Sequence, residues 1–250
     1  MKFGLVKTSL IDYPGLIAAA LFTRGCNLRC PYCHNPELAE EGTAPAGMLE
    51  AGEVLRFLHA RRKVLEGVCI SGGEPLLHPE LPDFIREVRG LGYKVKIDTN
   101  GILPDVLKTL TMDYIAMDIK TLPEKYAALV GLRAGREDPE AGESAEGAKI
   151  AAAVRESAAY IIDSGIDHEL RTTVSPGIFL EEDIPEIALL VRGARRYILT
   201  GMKPSVTLDP AYGKSRAPYP REALQRMRQA FLDRGVNCLV RGESRFSYPK

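Results

Sequence analysis

The chain has no excess of charge, because 33 Lys and Arg residues balance 33 Asp and Glu over 250 residues. That balance excludes a global field recruiting nucleic acid or an anionic membrane surface. It also lacks a bilayer-length apolar run. The start, MKFGLVKTSLIDYPG, meets Asp12 and Pro14 first, and the stretch Leu16 to Phe22 is far too short to span a membrane. The expectation is an unexported, cytoplasmic protein. No internal repeat or low-complexity tract dominates. A disulfide framework is disfavoured as well, since five cysteines is an odd number and structural disulfides are rare in a reducing compartment.

What is present is a concentration of thiols. RGCNLRCPYCHN places Cys26, Cys30 and Cys33 within eight residues. A glutaredoxin-like pair would use only Cys30 and Cys33, leaving Cys26 without a role. Haem attachment at CPYCH needs an oxidising context that the start of the chain does not suggest, and it too ignores Cys26. Structural zinc needs four ligands, and His34 directly follows Cys33, closer than usual zinc-ligand spacings. Three thiolates at C-x3-C-x2-C are instead able to hold three irons of a four-iron cluster, leaving the fourth open for a ligand. Cys69 and Cys238 stand alone in apolar, strand-like runs and read as small buried hydrophobes.

Short apolar runs alternate with helix-period segments. Strands are expected at Leu16–Thr23, Gly67–Ile70, Tyr93–Ile97, Tyr114–Met117, Glu169–Val174, Tyr197–Thr200 and Val236–Val240. Helices are expected at Leu49–Leu65, Glu80–Leu91, Pro104–Leu110, Ala148–Ser164, Leu180–Arg192 and Pro220–Arg234. This order predicts an α/β fold with a parallel sheet, either doubly wound or a barrel. Residues 133–147, rich in Gly, Glu and Ala, read as a solvated insertion in a single domain spanning 1–250. Polar clusters follow six successive strands: RGC, SGGEP, DTNG, DIK, TTVSPG and TGMKP. Parallel strand ends share one rim, so these clusters point to one pocket.

CNLRCPYCHN, with SGGEP and DTNG after it, resembles the radical S-adenosylmethionine (SAM) superfamily. The resemblance implies a partial (β/α)6 TIM-like barrel holding a [4Fe-4S] cluster on Cys26, Cys30 and Cys33. In that family, SAM chelates the open iron and is reductively cleaved to methionine and a 5′-deoxyadenosyl radical.

Further roles follow from the resemblance alone, each beside a plainer reading. Ser71, Gly72 and Gly73, otherwise a tight turn, would bind the methionine amino group through the main chain, with Glu74 nearby. Asp98 and Asp118, with Thr99 and Ala116, would hold a sodium or potassium ion near the cofactor carboxylate. Asn100 shares the DTNG loop. Asp118 and Lys120 are two apart on a strand and so share a face, either as an ion pair or with Lys120 meeting the carboxylate. Glu169, Arg171 and Thr173 share the next strand's face, where Arg171 is either an interior partner of Glu169 or a clamp on that carboxylate. Tyr32 and His34 would lie against adenine, and Asn35 would support the cluster loop. TGMKP, with Lys203, has no assigned role.

From KTSLIDYPG through FTRGCNLRCPYCHNPEL, ISGGEP, KIDTNG and DYIAMDIK to ELRTTV, the chain is similar to activating proteins of anaerobic ribonucleoside-triphosphate reductase. The likeness weakens after Val174 and over 203–250. It implies abstraction of a glycine hydrogen in a large glycyl-radical partner, with reduced flavodoxin or ferredoxin as electron donor. Neither nucleic acid nor membrane is an expected partner. The rivals are a radical enzyme acting on a small molecule, like 7-carboxy-7-deazaguanine synthase, and a non-catalytic iron–sulfur electron carrier.

Overall fold

The computed structural model describes residues 1–39, 46–131, 145–203 and 206–242. It contains one continuous nine-stranded sheet in the order β3-β1-β2-β4-β5-β6-β7-β8-β9. The strands are β1 (Lys2–Ser9), β2 (Ala18–Thr23), β3 (Leu49–Glu50), β4 (Gly67–Gly72), β5 (Lys94–Thr99), β6 (Tyr114–Asp118), β7 (Asp167–Val174), β8 (Tyr197–Gly201) and β9 (Cys238–Val240). From β2 onward each pairs in parallel with the next listed neighbour, whereas β1 runs antiparallel to β2 and β3. The α/β partial barrel expected from the sequence is therefore present.

The helices are α1 (Pro36–Ala39), α2 (Ala51–Arg61), α3 (Leu81–Gly90), α4 (Pro104–Thr109), α5 (Tyr126–Gly131), α6 (Ala145–Asp163), α7 (Ile184–Val191), α8 (Pro210–Ser215) and α9 (Arg221–Leu232). The longer ones form where apolar residues recur at helical spacing. In α3 the buried set is Leu81, Phe84, Ile85 and Val88, and in α9 it is Ala223, Leu224, Met227 and Phe231. Proline in the first turn of α3 costs no intrahelical bond. The insertion expected at 133–147 lies mostly outside the described residues; 145–147 open α6.

Two sequence expectations need correction. Leu49 and Glu50 are not helical: they pair with Phe3 and Lys2 as β3, and α2 begins at Ala51. Tertiary pairing overrides local helical preference there. Lys2–Ser9, for which no element was expected, forms β1, because β2 exposes a backbone edge that an antiparallel strand satisfies.

The two faces of the sheet differ chemically. Val68, Ile70, Val95, Ile97, Ile115, Met117 and Leu170 belong to the large apolar core that includes the helices. Alternation sends Cys69, Lys96, Asp98, Ala116, Glu169 and Arg171 to the other face. Stacked layers of four branched side chains, as in a closed barrel, do not fill this interior among the described residues. Instead, Tyr13, Ala18, Tyr114 and Ala116 form a separate small core. Tyr13 and Tyr114 have ring centroids 5.8 Å apart. The KTSLIDYPG segment thus plugs the amino-terminal end of the barrel, its turn fixed by the Ser9 hydroxyl accepting from the Ile11 and Asp12 amides.

Candidate active site

At the opposite end, the loops after the parallel strands enclose an open cavity of about 240 Å³. Cys26, Cys30 and Cys33 line it together. Their loop leaves β2 and is tied down by backbone bonds: the Gly25 amide donates to the Leu38 carbonyl at 2.8 Å, Arg29 to Leu129 at 2.7 Å and Cys33 to Cys30 at 2.9 Å. The Leu28 amide points at the Cys26 sulfur at 3.4 Å. Asn35 supplies the carbonyl that receives the Leu38 and Ala39 amides and so opens α1.

Burial raises the Cys26 thiol and pushes Cys30 up to about 12. Such thiols ionise readily only when a cation arrives to offset the charge. Among the described residues no three His, Cys, Asp or Glu side chains converge closely enough to hold a single metal ion. The three thiols share a cavity wall without meeting at a point.

The end of β4 contributes Ser71, Gly72, Gly73 and Glu74. Gly72 has a φ of 119°, a conformation open chiefly to glycine. The Gly73 amide donates to the Thr23 carbonyl at 2.9 Å, and the Glu74 amide to Gly25 at 2.8 Å. A β carbon on Gly73 would lie 2.0 Å from the Gly25 carbonyl oxygen. These glycines therefore let β4 approach the cysteine loop.

Glu74 is 1% exposed. Its carboxylate accepts from the Thr99 hydroxyl at 2.8 Å and from the Asn100 and Leu76 amides at 2.7 and 3.2 Å. Burial pushes its carboxyl up to about 7 despite those donors. The folded value lies above that of the unfolded chain, so the folded state holds the extra proton between about pH 4.5 and 7. Stability from this group is fully present below the lower value, falls as pH rises toward 7, and is flat above it. Unfolding of the cluster-free protein should lose about 2–3 kcal/mol between pH 5 and 8 through Glu74, a loss absent from Glu74→Gln. Denaturant titrations at both pH values check this; equal pH slopes in the two proteins would refute it.

Asn100 bridges to the cysteine loop, its amide donating to Asn27 Oδ1 at 2.7 Å and reaching Cys26 Sγ at 4.0 Å. Tyr32 lines the cavity at 5% exposure. Its hydroxyl lies beside the Cys30 thiol with no partner of hydrogen-bond geometry. His34 is exposed at the rim, where Nδ1 meets the Val206 carbonyl at 2.9 Å. The Asp209 amide also donates to the Pro31 carbonyl at 3.0 Å. The segment after β8 therefore folds onto the cysteine loop, a role unread in the sequence because it rests on backbone contacts.

All the site residues expected from the sequence line this cavity except Arg171 and Ala116. Asp98, Thr99, Asp118 and Lys120 do so. Lys120 Nζ lies 3.1 Å from Asp118 Oδ2. Ala116 is buried two residues below Asp118. Arg171 lies behind the wall, its Nε donating to Asp118 Oδ1 at 2.9 Å and its Nη2 lying 3.2 Å from Asp98 Oδ2. Glu169 is 3.7 Å from Arg171 Nη1, the interior pairing that the sequence allowed. Lys96, 2% exposed, pairs with Asp98 and went unread although it stands two before Asp98 on the same face. Burial opposes ionisation of both aspartates, but Arg171 foremost, then Lys96 for Asp98 and Lys120 for Asp118, hold both below the ordinary carboxylate range. Lys203 is exposed and outside the cavity lining.

Residues 20–191 match the profile of the Radical SAM superfamily. A Methanocaldococcus jannaschii protein that carries the provisional name glycyl-radical enzyme activating enzyme is 32% identical over 96% of each chain. The pyruvate formate-lyase-activating enzyme of Clostridium pasteurianum is 36% identical over 132 residues, 49% of this chain and 53% of that one. Among solved structures, Streptococcus suis SuiB bound to S-adenosylmethionine superposes with a TM-score of 0.63 at 20% identity, covering 91% of this chain and 51% of that one. At that identity the likeness speaks for the fold.

Proposed function

Because this chain belongs to the radical SAM superfamily and is an enzyme of that class, we propose that it is a glycyl-radical enzyme activase. The partner we assign is an anaerobic ribonucleoside-triphosphate reductase, with reduced flavodoxin or ferredoxin as electron donor. The observation that carries the activase reading is the match to the archaeal relative along 96% of both chains. The reductase assignment draws on the sequence strings from KTSLIDYPG to ELRTTV. No helix among the described residues is long and apolar enough to cross a membrane.

The family implies a [4Fe-4S] cluster and SAM, and the cavity residues fit both. Three thiols, Cys30 buried and Cys26 and Cys33 half-buried, share one wall, which suits a multi-iron cluster better than a single ion. Gly72 and Gly73, which let their strand approach the cysteine loop, and Tyr32, whose hydroxyl has no partner of hydrogen-bond geometry, line the same space. When bound, these groups supply one-electron cleavage of a sulfonium carbon–sulfur bond and a carbon radical able to take a hydrogen atom.

The chain's own contribution is to bind, orient and exclude water. Cys26, Cys30 and Cys33 would hold the cluster, while the Leu28 amide and Asn100 steady Cys26. Ser71, Gly72 and Gly73 would offer main-chain oxygens to an ammonium group, with the Glu74 carboxylate close by. Lys120, the only Lys or Arg side chain among the described residues that line the cavity, would meet the ligand's carboxylate. Tyr32 and His34 would flank its adenine, and Asn35 would keep the loop in register. The open mouth leaves room for a partner's glycine loop to complete the pocket.

The test is to incubate the reduced, reconstituted protein with SAM and the anaerobic reductase of the same genome. A glycyl radical should appear on the reductase by electron paramagnetic resonance. Cleavage to methionine and 5′-deoxyadenosine should rise about ten-fold or more over the protein alone, as expected if the partner completes the site. Rapid turnover of carboxytetrahydropterin with no radical on the reductase would overturn the activase reading while leaving family membership intact.

A further inference from the structure

The two aspartates that the resemblance assigns to a monovalent cation already have every carboxylate oxygen paired with a cationic side chain. Asp98 Oδ1 is paired with Lys96, and Asp98 Oδ2 lies 3.2 Å from Arg171 Nη2. Asp118 Oδ1 accepts from Arg171 Nε at 2.9 Å, and Asp118 Oδ2 lies 3.1 Å from Lys120 Nζ. Every carboxylate oxygen of the pair thus carries a cationic nitrogen, and the guanidinium spans both side chains. The group is also balanced in charge: Lys96, Lys120 and Arg171 against Asp98, Asp118 and Glu169, with the half-exposed Arg241 approaching Glu169 at 3.8 Å. Arg171 is 16% exposed and reaches these partners from below the cavity floor. Its planar, permanently charged fork suits a bridge between two carboxylates on adjacent strands.

We propose that Arg171 is the built-in counter-ion of this site, a positioning residue that fixes Asp98 and Asp118 and stands where a sodium or potassium ion would otherwise sit. The cofactor carboxylate is then received by Lys120 without the help of a dissolved cation. This departs from the cation expected by resemblance, because Asp98 and Asp118 do not fit one. It rests on superfamily membership and not on the identity of the partner, and its test needs no partner. Without Arg171, Asp98 Oδ2 and Asp118 Oδ1 would lose their cationic partner beside an anionic ligand, a local deficit that a small cation could offset.

The experiment measures SAM binding to the full chain with its cluster reconstituted under anoxia. Equilibrium dialysis in choline, sodium and potassium chloride at matched ionic strength gives the affinity in each. Wild-type affinity should agree within about two-fold across the three salts, since the counter-charge is internal. Arg171→Ala should weaken binding about ten-fold or more in choline, as expected for the loss of a charge-assisted contact, and should regain most of it in sodium or potassium. Arg171→Lys should keep the independence of salt. A wild-type affinity that falls about ten-fold in choline relative to potassium would overturn the proposal, since that is the loss of a charge-assisted contact to a dissolved ion. So would an Arg171→Ala protein that binds normally, or one equally weak in every salt, which would make Arg171 merely structural. Should Arg171→Ala fail to hold the cluster, the wild-type and Arg171→Lys comparisons decide.

Discussion

Cys26→Ala, Cys30→Ala and Cys33→Ala should each abolish stable iron binding after anoxic reconstitution, while Cys69→Ala and Cys238→Ala should retain it. Burial raises the Cys26 and Cys30 thiols, so the iron of a cluster is their natural counter-charge, and Cys33 lines the same cavity beside them. Losing one ligand removes a metal–sulfur bond that no neighbour replaces, because His34 is engaged at Nδ1 with the Val206 carbonyl. Cys69 and Cys238 are 1% and 0% exposed. Cys69 faces the interior beside Lys96 and Asp98, and its replacement should cost about 1–2 kcal/mol of packing without touching iron content. Iron and sulfide analysis with absorbance near the charge-transfer band separates the two sets. Full iron content in any of the first three variants, or zinc at stoichiometric level with no iron in the wild type, would sink the assignment.

Gly73→Ala should be almost as damaging for a different reason. Its backbone has an ordinary φ, so the objection to a side chain is closeness alone: the added carbon would meet the Gly25 carbonyl oxygen at 2.0 Å and the Gly25 carbonyl carbon at 2.6 Å. Both are backbone atoms, and no rotamer relieves the overlap. The Gly25–Glu74 bond must break or the cysteine loop must move. A loss of about 3 kcal/mol or more in unfolding free energy is expected, together with poor cluster retention. Gly90→Ala, in α3 with nothing within 4 Å of the new carbon, serves as the control and should be neutral or mildly stabilising. Equal stability of Gly73→Ala and wild type would mean that β4 and the cysteine loop do not pack this tightly.

Much of this architecture is legible in the residues, and the gaps have physical causes. The parallel strands β4, β6 and β8 announce themselves as short apolar runs and β5 and β7 by alternation of apolar and polar residues, each ending in a polar cluster. The cluster loop is legible through cysteine spacing alone. β1 is not, since KFGLVKTS mixes Gly4 and two lysines into its alternation and becomes a strand by pairing with β2. Arg171 shows a subtler limit. Period-two alternation tells which face a side chain takes but not how deep it stands below the rim. Thr173, two residues further along β7, lines the cavity, while Arg171 sits one layer down among Asp98, Asp118 and Glu169. Lys96 escaped notice for the same reason: a lysine reads as solvent-facing until its buried partner is known.

The sheet's two ends carry a further consequence. A barrel left unclosed keeps two free edges, and long exposed edges act as templates for neighbouring chains to add strands. Among the described residues the strand order ends in β3, only two residues long and paired with Lys2 and Phe3 of β1, and in β9, only three. Lys2 and Glu50 form a charged pair across the first of them. Short terminal strands of this kind offer another copy less backbone to pair with than full-length edge strands would.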